Sequence, residues 1–187
     1  FNPPHLGHLI MAQQILEFTS IDEVWLTPCY QHTFDKKMAE VKHRKEMTKM
    51  LCSFKGGLKY CGEEIKNKLR GDTIDLMDLL TCQHPEFTFS FIIGSDNLPF
   101  FKKWGQWEKL IKKYVFFIAP RPNWNCDLKK YGLDNVDYKF KVLKHELLIT
   151  TNISSTIIRN RIKKNMSIIN LVSQNINNYI IKHGLYR

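Results

Sequence analysis

Two histidines three residues apart, His5 and His8, follow a pair of prolines in the stretch Phe1-Asn2-Pro3-Pro4-His5-Leu6-Gly7-His8. Proline cannot donate to a β-ladder or sit inside a helix, yet its fixed φ suits the first helical position. Pro3-Pro4 therefore predicts a turn handing over to a helix. Leu9, Ala12, Ile15 and Leu16 then recur at three- and four-residue spacing, the pattern of one buried stripe in a helix running to Phe18. Both histidines fall on one face of its first turn. Free N–H groups and the positive end of the helix dipole make that turn a seat for phosphate, and Gly7 lets a ligand approach the main chain. Taken alone, the pair is equally compatible with a solvated surface or with two ligands of a metal site.

Further chemistry-bearing residues lie far along the chain. Ile153-Ser154-Ser155-Thr156-Ile157-Ile158-Arg159 opens a predicted helix with three hydroxyl side chains, which cap free N–H groups and bond phosphate oxygens. Arg159 lies one turn beyond Ser155, where its guanidinium is suited to a two-pronged grip on a pyrophosphate; by itself the stretch also fits a plain capped helix. Ile93-Gly94-Ser95-Asp96-Asn97 ends a strand with a glycine followed by a carboxylate, a placement suited to ribose hydroxyls or adenine.

The elements that must carry these residues alternate. Strands are predicted at Val24 to Thr27, Leu58 to Cys61, Phe89 to Ile93, Val115 to Ala119 and Glu146 to Ile149. Helices are predicted from His8 to Phe18, around Met47 to Phe54, from Asp72 as N-cap to Cys82, over 97–113 in two pieces broken near Gly105, at Ser154 to Lys164 and at Ser173 to His183. Short buried strands alternating with helices predict an α/β fold with a parallel sheet and helices on both faces, binding its ligand at the carboxyl ends of the strands. The whole of 1–187 reads as a single domain, with no internal repeat or linker.

The opening stretch resembles the tail of the Gly-Gly-Ser/Thr-Phe-Asn/Asp-Pro-x-His-x-Gly-His signature of nicotinate- and nicotinamide-nucleotide adenylyltransferases, within the H-x-G-H nucleotidyltransferase superfamily. Ile153 to Arg159 resembles the family's I-S-S-T-x-x-R signature, Ile93 to Asn97 its glycine-aspartate element, Ala119-Pro120-Arg121-Pro122 its R-P turn and Gly184-Leu185-Tyr186 its closing G-L-Y. Arg70-Gly71-Asp72-Thr73-Ile74-Asp75 is similar to the S-Y-T-x-D stretch, with Asp72 where the family usually has Tyr, and Gln31 to Lys37 lacks the usual P-P-H-K. The resemblance implies a Rossmann-like doubly wound sheet whose first strand and glycines are expected just upstream of Phe1.

It also implies a reaction, the transfer of the adenylyl group of ATP to nicotinate mononucleotide. In it His8, His5 and Arg159 would be catalytic. Phe1, Asn2, His5, Gly7, His8, Gly94, Asp96, Ser154, Ser155, Thr156 and Arg159 would bind ATP, and Lys36, Arg44, Thr73, Asp75, Trp104, Gly105 and Arg121 the mononucleotide. Trp104 would stack on the pyridine ring, and Asp72 is expected to turn away and cap its helix. Mg²⁺ would arrive with ATP, since no carboxylate cluster for a protein-bound metal is visible. Alternatives within reach of the same fold are an amide-preferring or dual-specificity enzyme, a transferase with another acceptor, and a non-catalytic nucleotide- or RNA-binding relative.

Composition bounds the partners. The net charge is +10, from 28 Lys+Arg against 18 Asp+Glu, but the lysines are scattered singly or in pairs, without the long run or aromatic interleaving of a nucleic-acid stripe. Phosphorylated small molecules fit that balance; neither nucleic acid nor a membrane is expected, and a homodimer is compatible with it. Five cysteines, odd in number and without a C-x-x-C pair, point to free thiols in a reducing compartment, hence a cytoplasmic protein.

Overall fold

A computed structural model describes residues 1–31, 38–53 and 56–187. In chain order the elements are α1 (Leu6–Phe18), β1 (Val24–Leu26), α2 (Val41–Cys52), β2 (Leu58–Tyr60), α3 (Glu63–Lys66), α4 (Thr73–Gln83), β3 (Ser90–Gly94), a 3₁₀ helix (Ser95–Lys103), α5 (Trp107–Lys113), β4 (Val115–Ala119), a 3₁₀ turn (Lys129–Tyr131), β5 (Phe140–Val142), α6 (Ser155–Lys163) and α7 (Gln174–Lys182). The chain divides into two compact units, a discontinuous one of Phe1–Lys68 with Thr151–Arg187 and a continuous one of Leu69–Thr150.

In the discontinuous unit β1 and β2 pair in parallel, Val24 opposite Leu58 and Leu26 opposite Tyr60. Of the stripe expected on α1, Ala12 and Ile15 are buried, joined by Gln14, while α2 buries Met47 and Leu51, α6 buries Ile158 and α7 buries Ile176 and Ile180. Ser154 and Ser173 cap α6 and α7, accepting from the N–H groups of Ile157 at 3.2 Å and Ile176 at 3.4 Å.

The continuous unit holds a parallel sheet in the order β3-β4-β5, with Phe91 opposite Phe116 and Phe116 opposite Phe140. Its core gathers Ile74, Met77, Ile93, Leu98, Phe101, Leu110, Ile111, Phe116 and Ile118. Phe101, fully buried, meets Phe116 and Phe140 edge-on with ring centroids 5.2 Å apart in both pairs. Parallel strands with helices packed on them are the α/β architecture the alternation predicts.

Two expectations fail. Glu146 to Ile149 is not a strand: β4 takes Phe140–Val142 as its neighbour instead, and Leu147 and Ile149 stand 67% and 64% exposed. The apolar run imitated a buried strand, while the real strand carries an exposed lysine between two half-buried apolar residues. Asp72, at the N-cap of α4, makes no side-chain cap bond.

Candidate active site

In the discontinuous unit the first residues are stitched to the start of α6. Arg159 donates through Nη1 to the Asn2 carbonyl at 2.8 Å and through Nη2 to the Thr156 hydroxyl at 3.2 Å, and Ser155 donates to the Pro3 carbonyl at 2.8 Å. The Leu6 N–H donates to the Leu171 carbonyl at 2.9 Å. Gly7 sits where a Cβ would come within 3.0 Å of His5 Nδ1 and 3.3 Å of the Ile153 carbonyl, so a side chain there would crowd both. Pro3 to His8 and Thr151 to Ser155 are thus one locality, with Phe1, Asn2, His5, Gly7, His8, Ser154, Ser155, Thr156 and Arg159 all in this unit.

Within it, His8 Nδ1 accepts from the His5 N–H at 3.2 Å. That lone pair must be free of a proton, so neutral His8 carries its hydrogen on Nε2, as a donor. The His5 ring is 3% exposed and lies under His8 with centroids 3.6 Å apart, while Phe1 meets His8 edge-on at 4.7 Å. His8, half-buried, is the better placed of the two histidines to touch a ligand.

Arg44 does a different job from the one expected of it. It is 2% exposed, and its guanidinium is committed to the carbonyls of Cys29, of Tyr30 at 2.9 Å and of Ala39 at 2.9 Å. It ties the loop residues Cys29, Tyr30 and Ala39 to the first turn of α2, so its charge is already committed to those three carbonyls. Buried Glu64 joins the same knot by accepting from the Tyr30 N–H at 3.1 Å, and Asn2 Oδ1 accepts from the Ala39 N–H at 3.1 Å. Burial pushes the Glu64 carboxyl up to about 7, against the pull of Tyr30's N–H and the Arg44 charge. No spacing rule pointed to Glu64; one of two adjacent glutamates at the start of a four-residue helix carries no signal. Lys36 lies outside the described residues.

The continuous unit carries Gly94, Asp96, Thr73, Asp75, Trp104, Gly105 and Arg121. At the end of β3 the side chains of Asp96 and Arg121 close over Gly94, where any Cβ would collide with the carboxylate and come within 2.8 Å of Arg121 Cδ. Asp96 and Arg121 pair at 3.6 Å, and buried Ser95 accepts from the Arg121 N–H at 2.9 Å. Trp104 stacks one face on Phe101 at 5.0 Å, held edge-on by Phe91 at 6.2 Å. Gly105 follows it, and Gln106 turns left-handed at φ 50° to start α5. The Asp72 carboxylate lies against Gly105, 2.6 to 3.0 Å from where a Cβ would stand. Asp75 is exposed and Thr73 half-buried on the first turn of α4.

Among the described residues no group of three or more His, Cys, Asp or Glu is arranged to hold a metal ion, and no helix is long and apolar enough to cross a membrane. The cytidylyltransferase-like family model matches residues 1–161. A protein of Myxococcus xanthus named probable nicotinate-nucleotide adenylyltransferase is 35% identical over 192 residues, spanning 100% of this chain and 90% of that one. A protein of Bacillus cytotoxicus with the same name is 30% identical over 188 residues, spanning 100% and 94%. Among solved structures, Plasmodium falciparum nicotinic acid mononucleotide adenylyltransferase complexed with NaAD superposes with a TM-score of 0.81 at 25% identity, covering 100% of this chain and 93% of that one. The chain therefore belongs to the cytidylyltransferase-like family and, within it, to the nicotinate-nucleotide adenylyltransferases.

Proposed function

We propose that the chain transfers the adenylyl group of ATP to nicotinate mononucleotide, working as one catalytic domain over 1–187. An oxygen of the mononucleotide's 5′-phosphate attacks the α-phosphorus of ATP, a new P–O–P link forms, and the bond to the bridging oxygen of pyrophosphate breaks. Deamido-NAD and pyrophosphate leave. No enzyme nucleophile is required, so the protein's work is positioning and stabilising charge.

The observation that carries this reading is the hydrogen bond from the His5 N–H to His8 Nδ1. A neutral ring whose Nδ1 is occupied by the His5 N–H keeps a donor at Nε2, suited to an α-phosphate oxygen whose charge grows as the new bond forms. Arg159 would take the β- or γ-phosphate, with the hydroxyls of Ser154, Ser155 and Thr156 and the free N–H groups of α6 beside it; Asn2, Gly7 and the enclosed His5 shape that cradle. Gly94 and Asp96 would meet the ribose or adenine. Trp104, Gly105, Thr73, Asp75 and Arg121 would receive the mononucleotide, with Arg121 exchanging its Asp96 partner for the ligand. Mg²⁺ would arrive with the ATP substrate and supply positive charge to its phosphates.

The names of the relatives support the acceptor, and phosphorylated small molecules in the cytoplasm are the partners this reading requires. The test is a coupled assay with MgATP and nicotinate mononucleotide. Equal molar amounts of deamido-NAD and pyrophosphate are expected; pyrophosphate without dinucleotide, or neither product, would sink the reading.

A further inference from the structure

Asp72 occupies the N-cap of α4 with extended backbone, φ −73° and ψ 121°, a conformation from which aspartate ordinarily caps, yet it makes no cap bond. Among the described residues its carboxylate makes no hydrogen bond or ion pair at all. It lies instead over the main chain of Gly105, so close that a methyl group on that glycine would come within 2.6 Å of Oδ1, 2.8 Å of Cγ and 3.0 Å of Oδ2. Gly105 is the residue after Trp104, and α4 begins with Thr73. A half-buried carboxylate without a partner is therefore built into the group of residues assigned to the pyridine ring.

We propose that Asp72 is the specificity-determining residue for the substituent on that ring, and that it tilts this chain toward the amide, so that nicotinamide mononucleotide is used alongside the nicotinate form. The proposal rests on the adenylyl-transfer reading above. A carboxylate with no partner repels the ionised acid of nicotinate and accepts a hydrogen bond from the N–H₂ of the carboxamide. Main-chain N–H groups at Thr73 and Gly105 favour the acid, so Asp72 works against them and narrows the choice. Sites that use polar complementarity discriminate far more strongly than sites that use shape, so one carboxylate is sufficient to shift the preference about tenfold to a hundredfold.

The test compares nicotinate and nicotinamide mononucleotide, under the same MgATP, for the wild type, Asp72→Asn and Asp72→Glu. kcat/KM is read together with the dissociation constant of each mononucleotide from calorimetry. Wild type is expected to use both within about tenfold. Asp72→Asn, the same size without the charge and able to turn its N–H₂ toward an acid, should raise the acid-to-amide ratio about tenfold or more, while KM for ATP stays put. Asp72→Glu, which keeps the charge, should keep the ratio near that of the wild type. A ratio unchanged in Asp72→Asn, in turnover and in binding, overturns the role of Asp72 and leaves adenylyl transfer standing. If the wild type makes no dinucleotide from either mononucleotide, the functional reading falls and this proposal with it.

Discussion

The proposed phosphate cradle of the discontinuous unit and the proposed ring-side residues of the continuous unit are built by opposite means. The cradle is a set of directional bonds between remote stretches: Arg159 to Asn2, Ser155 to Pro3, His8 to the His5 N–H. On the ring side, residues of one continuous segment include an aromatic floor, with Trp104 on Phe101 and Phe101 against Phe116 and Phe140. A hydrogen-bonded cradle can lose one donor and keep its shape, so it should fail in chemistry before it fails in stability. An aromatic floor has the reverse vulnerability, because removing one ring leaves a void under everything packed upon it.

The sharpest way to break that contrast is Phe101→Ala. Deleting a fully buried phenylalanine costs about 3–5 kcal/mol, and Trp104 would lose the surface it stacks on. Denaturant unfolding should show the loss, and calorimetry should show the mononucleotide weakened much more than ATP. Equal weakening of both ligands would mean that the floor supports the phosphate side as well.

His8→Ala is the complementary experiment. Loss of one preorganised donor costs about 10²–10³ in kcat, with KM for ATP and the unfolding midpoint moving little. A variant that keeps near-full kcat but melts early would make His8 a structural residue and erase the distinction between the two regions.

A smaller effect separates them by pH. Glu64 in the discontinuous unit titrates near 7 rather than 4.5 because it is buried. Below pH 4.5 the carboxyl is protonated folded or unfolded. As pH rises toward 7 the unfolded chain ionises first, so stability falls across that window by up to about 3 kcal/mol. Glu64→Gln should match wild type at pH 4.5 and exceed it by about 1–3 kcal/mol at pH 8. Asp78 in the continuous unit runs the other way: its own burial is outweighed by bonds from Lys113 and Tyr114 at 2.6 Å and by the Lys113 and Lys109 charges, which hold it below its usual 3.8. Its contribution is present above that pH and is lost as pH falls further. Urea unfolding from pH 3 to 9 checks both slopes; a Glu64→Gln curve parallel to wild type would exclude Glu64 as the source.

Elements defined by local pattern were readable before folding. Val115 to Ala119 is five apolar residues stopped by a proline, and Ser154 caps α6 by a rule of adjacent chemistry. What depended on long-range pairing was not. Phe140–Val142 becomes a strand because β4 offers it an edge, while Leu147 and Ile149 look the part and stay outside. Arg44 shows the same limit at the site, since the resemblance assigned it to the mononucleotide and only the fold reveals the three carbonyls that hold it. The Asp72 departure was visible as a change of letter, but its position over Gly105 was not.

Because the cradle joins Asn2 and Pro3 to residues more than 150 positions later, it has a place in time as well as in space. On a ribosome the segment Leu69–Thr150 is complete while Thr151–Arg187 has yet to be added. Its contacts close over short loops, which the chain can form early. His5 and His8 are made long before α6, yet they must wait for its start until the chain reaches Arg159. The two histidines are thus made before the partners that complete their surroundings, and a chain cut short before α6 would hold its aromatic floor and lack the bonds from Arg159 and Ser155 to Asn2 and Pro3.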